Sequence, residues 1–216
     1  MNQPSYHLEL LIAGFGALLA LAIGAFAIWD MSWVPWNLLQ SESNSITIGL
    51  FLLPIIYTTG IMVDWVVDLF LGRYFIPKIN EQVFKGDRQG YMRARTLIYY
   101  RSDNLKSVFE YSRVRIRILR AWMLNSFLIG VASMLFLIFP PKPVDGLPEA
   151  AFCHFVISNR PLLSFLVLSG TVFSVWISFV SWRAMTLAEC RNLLFQSHFL
   201  ESIDKKKETT QETNKN

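Results

Sequence analysis

Residues 8–29 read LELLIAGFGALLALAIGAFAIW, an almost uncharged stretch that is long enough to cross a lipid bilayer as a helix. Because a helix rises about 1.5 Å per residue and a bilayer core is about 30 Å thick, roughly 20 apolar residues span it. Three further apolar spans follow, at residues 46–71, 122–139 and 161–182. The sequence therefore predicts an all-α, polytopic membrane protein with four transmembrane helices.

The composition agrees with a protein that resides in a membrane. Hydrophobic residues make up 53% of the 216 residues and charged residues 17%, whereas an average soluble domain is about 25% charged. Four apolar runs in so short a chain leave too little polar sequence to cover them in water. The composition thus disfavours a soluble helical bundle.

Basic residues are distributed unevenly along the chain. Residues 73–120 hold twelve of the 20 Lys and Arg residues and four acids, whereas residues 30–45 hold no basic residue. By the positive-inside rule, the basic segment and the tail are predicted to be cytoplasmic. Both termini are then on the cytoplasmic side of a cell (inner) membrane. The positive surface predicts anionic lipid headgroups as a partner. Nucleic acid is disfavoured, because no nucleic-acid-reading motif accompanies the charge.

The chain divides into five parts at the sequence level. A first transmembrane helix pair occupies residues 1–72, a basic cytoplasmic helical segment residues 73–121, and a second transmembrane helix pair residues 122–182. A cytoplasmic helix is predicted at residues 183–200. The polar tail, residues 201–216, is predicted to be disordered.

The third and fourth spans are predicted to extend into the cytoplasm as continuous helices. Ser102 or Asp103 is a plausible N-terminal cap, and no Gly or Pro occurs from Asn104 until Gly130. The fourth span likewise runs into residues 183–200 without a helix breaker.

Opposite charges lie at the inner ends of two spans. Asp64 and Asp68 are one helical turn apart at the end of the second span, and Arg113, Arg117 and Arg120 form a stripe that leads into the third. Antiparallel packing of these spans predicts structural Asp–Arg pairs. A proton or cation path, and a catalytic or ligand-holding role, are the alternatives, because ionisable groups near hydrocarbon are often functional.

The spacing Gly60-x3-Asp64-x3-Asp68 resembles the second half of the signature of the CDP-alcohol phosphatidyltransferases, membrane enzymes that hold a divalent metal with several aspartates. The first half of that signature is missing, because residues 45–59 contain no acid. The resemblance covers nine residues and therefore assigns no family to the chain. An inner-leaflet lipid-modifying enzyme that uses Asp64 and Asp68 is one hypothesis.

Small and hydroxyl-bearing residues form stripes on three of the spans. They are Gly16, Ala20 and Gly24 in the first span, Ser126, Gly130 and Ser133 in the third, and Thr171, Ser174, Ser178 and Ser181 in the fourth. Small residues allow close backbone approach in lipid, and hydroxyls bond to neighbouring helices, so helix packing is the first interpretation. An oligomeric channel or transporter lined by these hydroxyls is the alternative.

The sequence contains no complete catalytic constellation. No pair of histidines has ligand spacing, and no nucleotide-binding or hydrolase motif occurs. We therefore expect no metal, no cofactor and no catalytic residue. The leading interpretation is a non-enzymatic scaffold, sensor or effector subunit with a basic cytoplasmic platform, of the kind that signalling or defence systems use. A homo-oligomer or a cytoplasmic protein is the expected partner besides the bilayer.

Overall fold

The computed structural model describes residues 4–29, 42–101, 103–140 and 149–213. In these ranges the regular elements are all helices, as predicted. A short π-helical segment, Asp68–Gly72, follows the second α-helix. The α-helices are α1 (Pro4–Trp29), α2 (Glu42–Val67), α3 (Ile76–Phe84), α4 (Arg88–Arg101), α5 (Asp103–Ile138), α6 (Glu149–Ser158) and α7 (Arg160–Thr213).

Four helical stretches are long and apolar enough to cross a membrane. They lie within His7–Trp29, Ile46–Gly72, Asn104–Ile138 and Arg160–Ile203. These are the four stretches predicted from hydropathy. The third belongs to a helix of 36 residues that begins at Asp103, one of the two predicted cap positions, and the fourth belongs to a helix of 54 residues.

Two predicted irregular segments are partly helical. α7 continues to Thr213, where disorder was predicted from residue 201. Extending an existing helix avoids the cost of nucleation, and the tail contains good helix formers, so polarity is a weak guide to disorder here. α6 occupies part of the predicted outer loop at residues 140–160, whereas residues 141–148 lie outside the described ranges.

The chain forms two compact units. The first unit contains residues 1–67 and 117–180, and the second contains residues 68–116 and 181–216. Neither residues 68–116 nor residues 181–216 are numerous enough to fold as a domain alone, but together they build the second unit. Its core contains Ile98 of α4, Phe109 of α5 and Leu193 of α7, so side chains from both parts of the sequence meet there.

An aromatic pair holds the first residues that α7 contributes to the second unit. Trp182 is fully buried, and the ring of Phe75 meets it edge to face at a centroid distance of 6.2 Å. Nearer to α4, Lys85 and Gly86 adopt positive φ values of 49° and 85°, which ends α3. The backbone N–H of Gly90 then donates to Oδ1 of Asp87 at 2.9 Å, and this side chain caps α4.

In the first unit, α1 and α2 cross with their backbones in contact. A Cβ atom on Gly14 would overlap the carbonyl of Ile56, and a Cβ atom on Gly60 would overlap the carbonyl of Leu10. Each helix therefore supplies a glycine at the place where the other helix presents main chain. The contact requires glycine at both positions, because any side chain would push the helices apart.

The predicted small-residue stripe of α1 faces α5. Gly16 leaves room for the side chain of Asn125, Ala20 is buried, and a Cβ atom on Gly24 would lie 3.9 Å from that of Ala132. These contacts progress in the same order along both helices. α1 and α5 therefore run parallel to each other within the first unit.

A glycine substitution tests the crossing of α1 and α2. We expect Gly60→Ala to lower the stability by about 1–3 kcal/mol, because the added methyl group meets backbone that cannot rotate away. The measurement is thermal unfolding in detergent, followed by circular dichroism.

The matched control is Gly170→Ala in α7, where nothing lies within 4 Å of the added Cβ. This variant is expected to keep or slightly raise the stability, because Ala favours a helix over Gly by about 1 kcal/mol. Equal stabilities of the two variants would contradict the described crossing.

Candidate functional site

An aspartate at the end of the second apolar helix pairs with an arginine of the third. Nη2 of Arg120 on α5 donates to Oδ1 of Asp64 on α2 at 3.0 Å. The Arg120 side chain is 7% exposed and that of Asp64 is 25% exposed. Charge-assisted hydrogen bonds are stronger than neutral ones, so this bond fixes α2 against α5.

The other residues of the predicted charge cluster have different environments. Arg113 donates from Nε to Oε1 of Glu189 on α7 at 3.2 Å, within the second unit. Asp68 is exposed and opens the π-helical segment. The predicted single cluster of two aspartates and three arginines is therefore divided. Arg113 and Arg120 share a face of α5, but that face meets Glu189 of α7 in the second unit and Asp64 of α2 in the first.

A buried glutamate lies close to the Asp64–Arg120 pair and is absent from the residues predicted at the sequence level. Glu9 on α1 is 4% exposed, and neither carboxylate oxygen has a hydrogen-bond partner among the described residues. The charges of Arg117 and Asp64 both act on it. A signal was present in the sequence, because Glu9 is the one ionisable residue between Leu8 and Trp29.

A fully buried asparagine joins α5 to α1. Nδ2 of Asn125 donates to the carbonyl oxygen of Ala13 at 2.7 Å, and the adjoining surface of Gly16 gives the amide space to enter. Asn125 is 0% exposed, and its Oδ1 atom has no hydrogen-bond partner among the described residues. A single polar residue at such an interface fixes the register of the two helices.

The hydroxyl stripes of the third and fourth apolar helices face each other. The hydroxyl groups of Ser126 on α5 and Ser174 on α7 are 3.0 Å apart, so one donates to the other. Gly130 leaves the space that the Thr171 side chain fills, and Ser178 is buried. Ser133 and Ser181 are partly buried. These side chains therefore contribute to the packing of α5 against α7 within the first unit.

A groove between the same two helices is almost wholly apolar. It encloses about 620 Å³, and Phe127, Met134 and Trp176 are among its lining residues. The Thr171 hydroxyl and the Trp176 indole N–H are the polar side-chain groups among the residues that line it. Such a surface suits hydrocarbon chains and offers little to a hydrated ion.

In the second unit, three basic side chains converge on one aromatic ring. The Tyr99 ring centroid lies 5.6 Å from Cζ of Arg95, 5.9 Å from Nζ of Lys106 and 5.7 Å from Cζ of Arg113. Cation–π attraction holds positive charge against the ring and offsets part of the repulsion among the three groups. Nearby, burial raises the pKa of the Tyr91 phenol. Arg95, Lys106 and Arg113 are therefore held together at one place on the basic surface of this unit.

A double-mutant cycle tests the structural role of the ion pair. Asp64→Asn and Arg120→Gln are each expected to lower the stability by about 1–3 kcal/mol, because each removes one charge of a pair that is largely shielded from water. The double variant is expected to lose less than the sum of the two single losses. Thermal unfolding in detergent measures all three variants.

Glu81→Gln, at an exposed position of α3, is the control and is expected to unfold like the unaltered protein. Additive losses in the cycle would show that the two side chains do not interact.

Comparison with known proteins adds no assignment to these observations. No family model, curated protein or solved structure matches the chain. Among the described residues, no group of three His, Cys, Asp or Glu side chains is placed to hold a metal ion. Function is therefore inferred from the geometry of the two units.

Proposed function

We propose that the chain is a multi-pass protein of the cell (inner) membrane, with the second unit and both termini in the cytoplasm. The division into two units supports this arrangement, because the second unit contains every Lys and Arg residue except Arg117, Arg120, Lys142 and Arg160. The first unit contains the apolar parts of four helices. An apolar unit joined to a strongly basic one is what the positive-inside rule expects of a membrane protein.

Within that membrane, we propose a non-enzymatic scaffold, sensor or effector subunit with the second unit as its cytoplasmic platform. The observation that carries this proposal is the continuity of α5 and α7, which each contribute residues to both units without a break. α7 is about 80 Å long at about 1.5 Å per residue, far more than a bilayer core requires. Rigid helices of this kind carry a displacement from one end to the other.

The contacts of the polar residues support packing and coupling as their role. Asp64 is bonded to Arg120, and Ser126 is bonded to Ser174, so these residues, which were named for catalysis or for a pore, each take part in a bond between two helices. An oligomeric channel would need the hydroxyls to turn toward water. A lipid-modifying enzyme would need Asp64 to exchange Arg120 for a metal ion.

The platform presents positive charge with exposed aromatic side chains among it. Tyr100, Tyr111, Phe195 and Phe199 are more than half exposed. The exposed basic residues of the platform include Arg73, Lys78, Lys85, Arg93, Arg101, Arg115, Arg183 and Arg191. Such a surface attracts anionic lipid headgroups, and it suits an acidic cytoplasmic protein or an assembly of several copies.

Cysteine accessibility tests the topology. Single-cysteine variants Tyr100→Cys and Phe139→Cys, made after replacement of Cys153 and Cys190, are treated with a membrane-impermeant maleimide on intact cells. We expect labelling of position 139, which is 61% exposed at the outer end of α5, and protection of position 100, which is 89% exposed in the second unit.

Lysed cells are the control, in which both positions should be labelled. Labelling of position 100 on intact cells would overturn the proposed orientation.

Spin-label mobility tests the platform. A label at Tyr100→Cys is expected to lose mobility in bilayers that contain phosphatidylglycerol relative to bilayers of phosphatidylcholine, and salt is expected to restore it. Arg93→Gln together with Arg101→Gln should remove the difference between the lipids, whereas Arg160→Gln in the first unit should preserve it.

Equal mobility in both lipids would contradict the proposed platform. The same bilayers separate the competing functions. Ion conductance that Ser174→Leu abolishes would indicate a channel, and metal-dependent turnover of lipid that Asp64→Asn abolishes would indicate an enzyme.

A further inference from the structure

The position of the buried Glu9 carboxyl group follows from the register of α1 against α5. Gly16 of α1 contacts Asn125 of α5, and Gly24 lies beside Ala132. Because the two helices run parallel, the same register extended seven residues backward from Gly16 and Asn125 brings Glu9 level with Ile118, the residue next to Arg117. The positive charge of Arg117 acts on Glu9, in agreement with this placement.

The ionisable groups around Glu9 come from three helices of the first unit. Arg117 of α5 and Asp64 of α2 act on it directly, and Asp64 is itself bonded to Arg120. On α1, His7 is two residues from Glu9 in sequence, and its Nδ1 lies 3.2 Å from the hydroxyl of Tyr57 on α2. One favourable cation and one unfavourable anion therefore face the carboxyl group.

A carboxyl group that is buried without hydrogen bonds costs far more free energy when it is ionised than when it is protonated and neutral. Both oxygens of Glu9 lack hydrogen-bond partners among the described residues, and the side chain is 4% exposed. The described arrangement therefore suits the protonated form. The ionised form has a favourable alternative, because a carboxylate that moves toward Arg117 gains a charge-assisted hydrogen bond.

We propose that Glu9 is a reversible proton-binding site in the first unit, protonated in the described arrangement and paired with Arg117 once ionised. In the release step, the carboxyl O–H bond breaks and a water molecule at the N-terminal end of α1 accepts the proton. The carboxylate that remains draws α1 toward α5. This inference concerns the first unit and holds whichever partner the platform has.

Infrared difference spectroscopy of the full chain in lipid nanodiscs tests the site. The acid-minus-alkaline spectrum is expected to contain the carbonyl stretch of a buried protonated carboxyl group, and Glu9→Gln is expected to remove that band. Glu81→Gln, at an exposed position, and Asp64→Asn are both expected to retain it. Glu9→Asp, which keeps a carboxyl group, is expected to shift the frequency of the band.

Arg117→Gln tests the ionised state of the same site. Removal of the cation that favours the carboxylate is expected to leave the band present at a pH at which the unaltered protein has lost it. Persistence of an unchanged band in Glu9→Gln, or absence of any such band in the unaltered protein, would overturn the proposal. If Glu9→Gln does not fold, the frequency shift in Glu9→Asp decides the assignment, and an unshifted band there would also overturn it.

Discussion

A polar side chain buried between apolar helices needs a hydrogen-bond partner, and in the first unit three such side chains find that partner on another helix. α5 supplies one side of each of three bonds, through Arg120 to α2, Asn125 to α1 and Ser126 to α7. These three residues lie within two turns of one another on the helix. α5 is therefore the central helix of the unit. The rotation of α5 about its own axis determines which of its residues each neighbouring helix contacts.

Hydropathy predicted the four apolar helices because their length and composition depend on no other part of the chain. The approximate start of α5 was also predictable, since capping residues and the lack of breakers are local signals. The small-residue stripes predicted which face of each span would pack against a neighbouring helix. The neighbour that each face meets depends on the order of helices in space, so the contact of Gly16 with Asn125 was not available from the sequence.

The missed and misplaced residues have the same physical origin. Arg113 was assigned to the aspartates of the second span, whereas its partner, Glu189, lies 76 residues away in the predicted cytoplasmic helix at residues 183–200. Glu9 carries no motif, and one acid in a long apolar run changes the mean hydropathy little. Its interest comes from burial and from the lack of a bonded partner among the described residues, which only the folded arrangement defines.

Chain order gives the crossing of α1 and α2 a consequence for biosynthesis. Consecutive helices meet at Gly14 and Gly60, so this hairpin can close while the ribosome is still translating the basic segment. At that moment Glu9 and Asp64 are present, but the arginines of α5 are not. In the incomplete hairpin Asp64 would lack its cation, and the later arrival of α5 would supply Arg120, which favours completion of the bundle over release of the half-built intermediate.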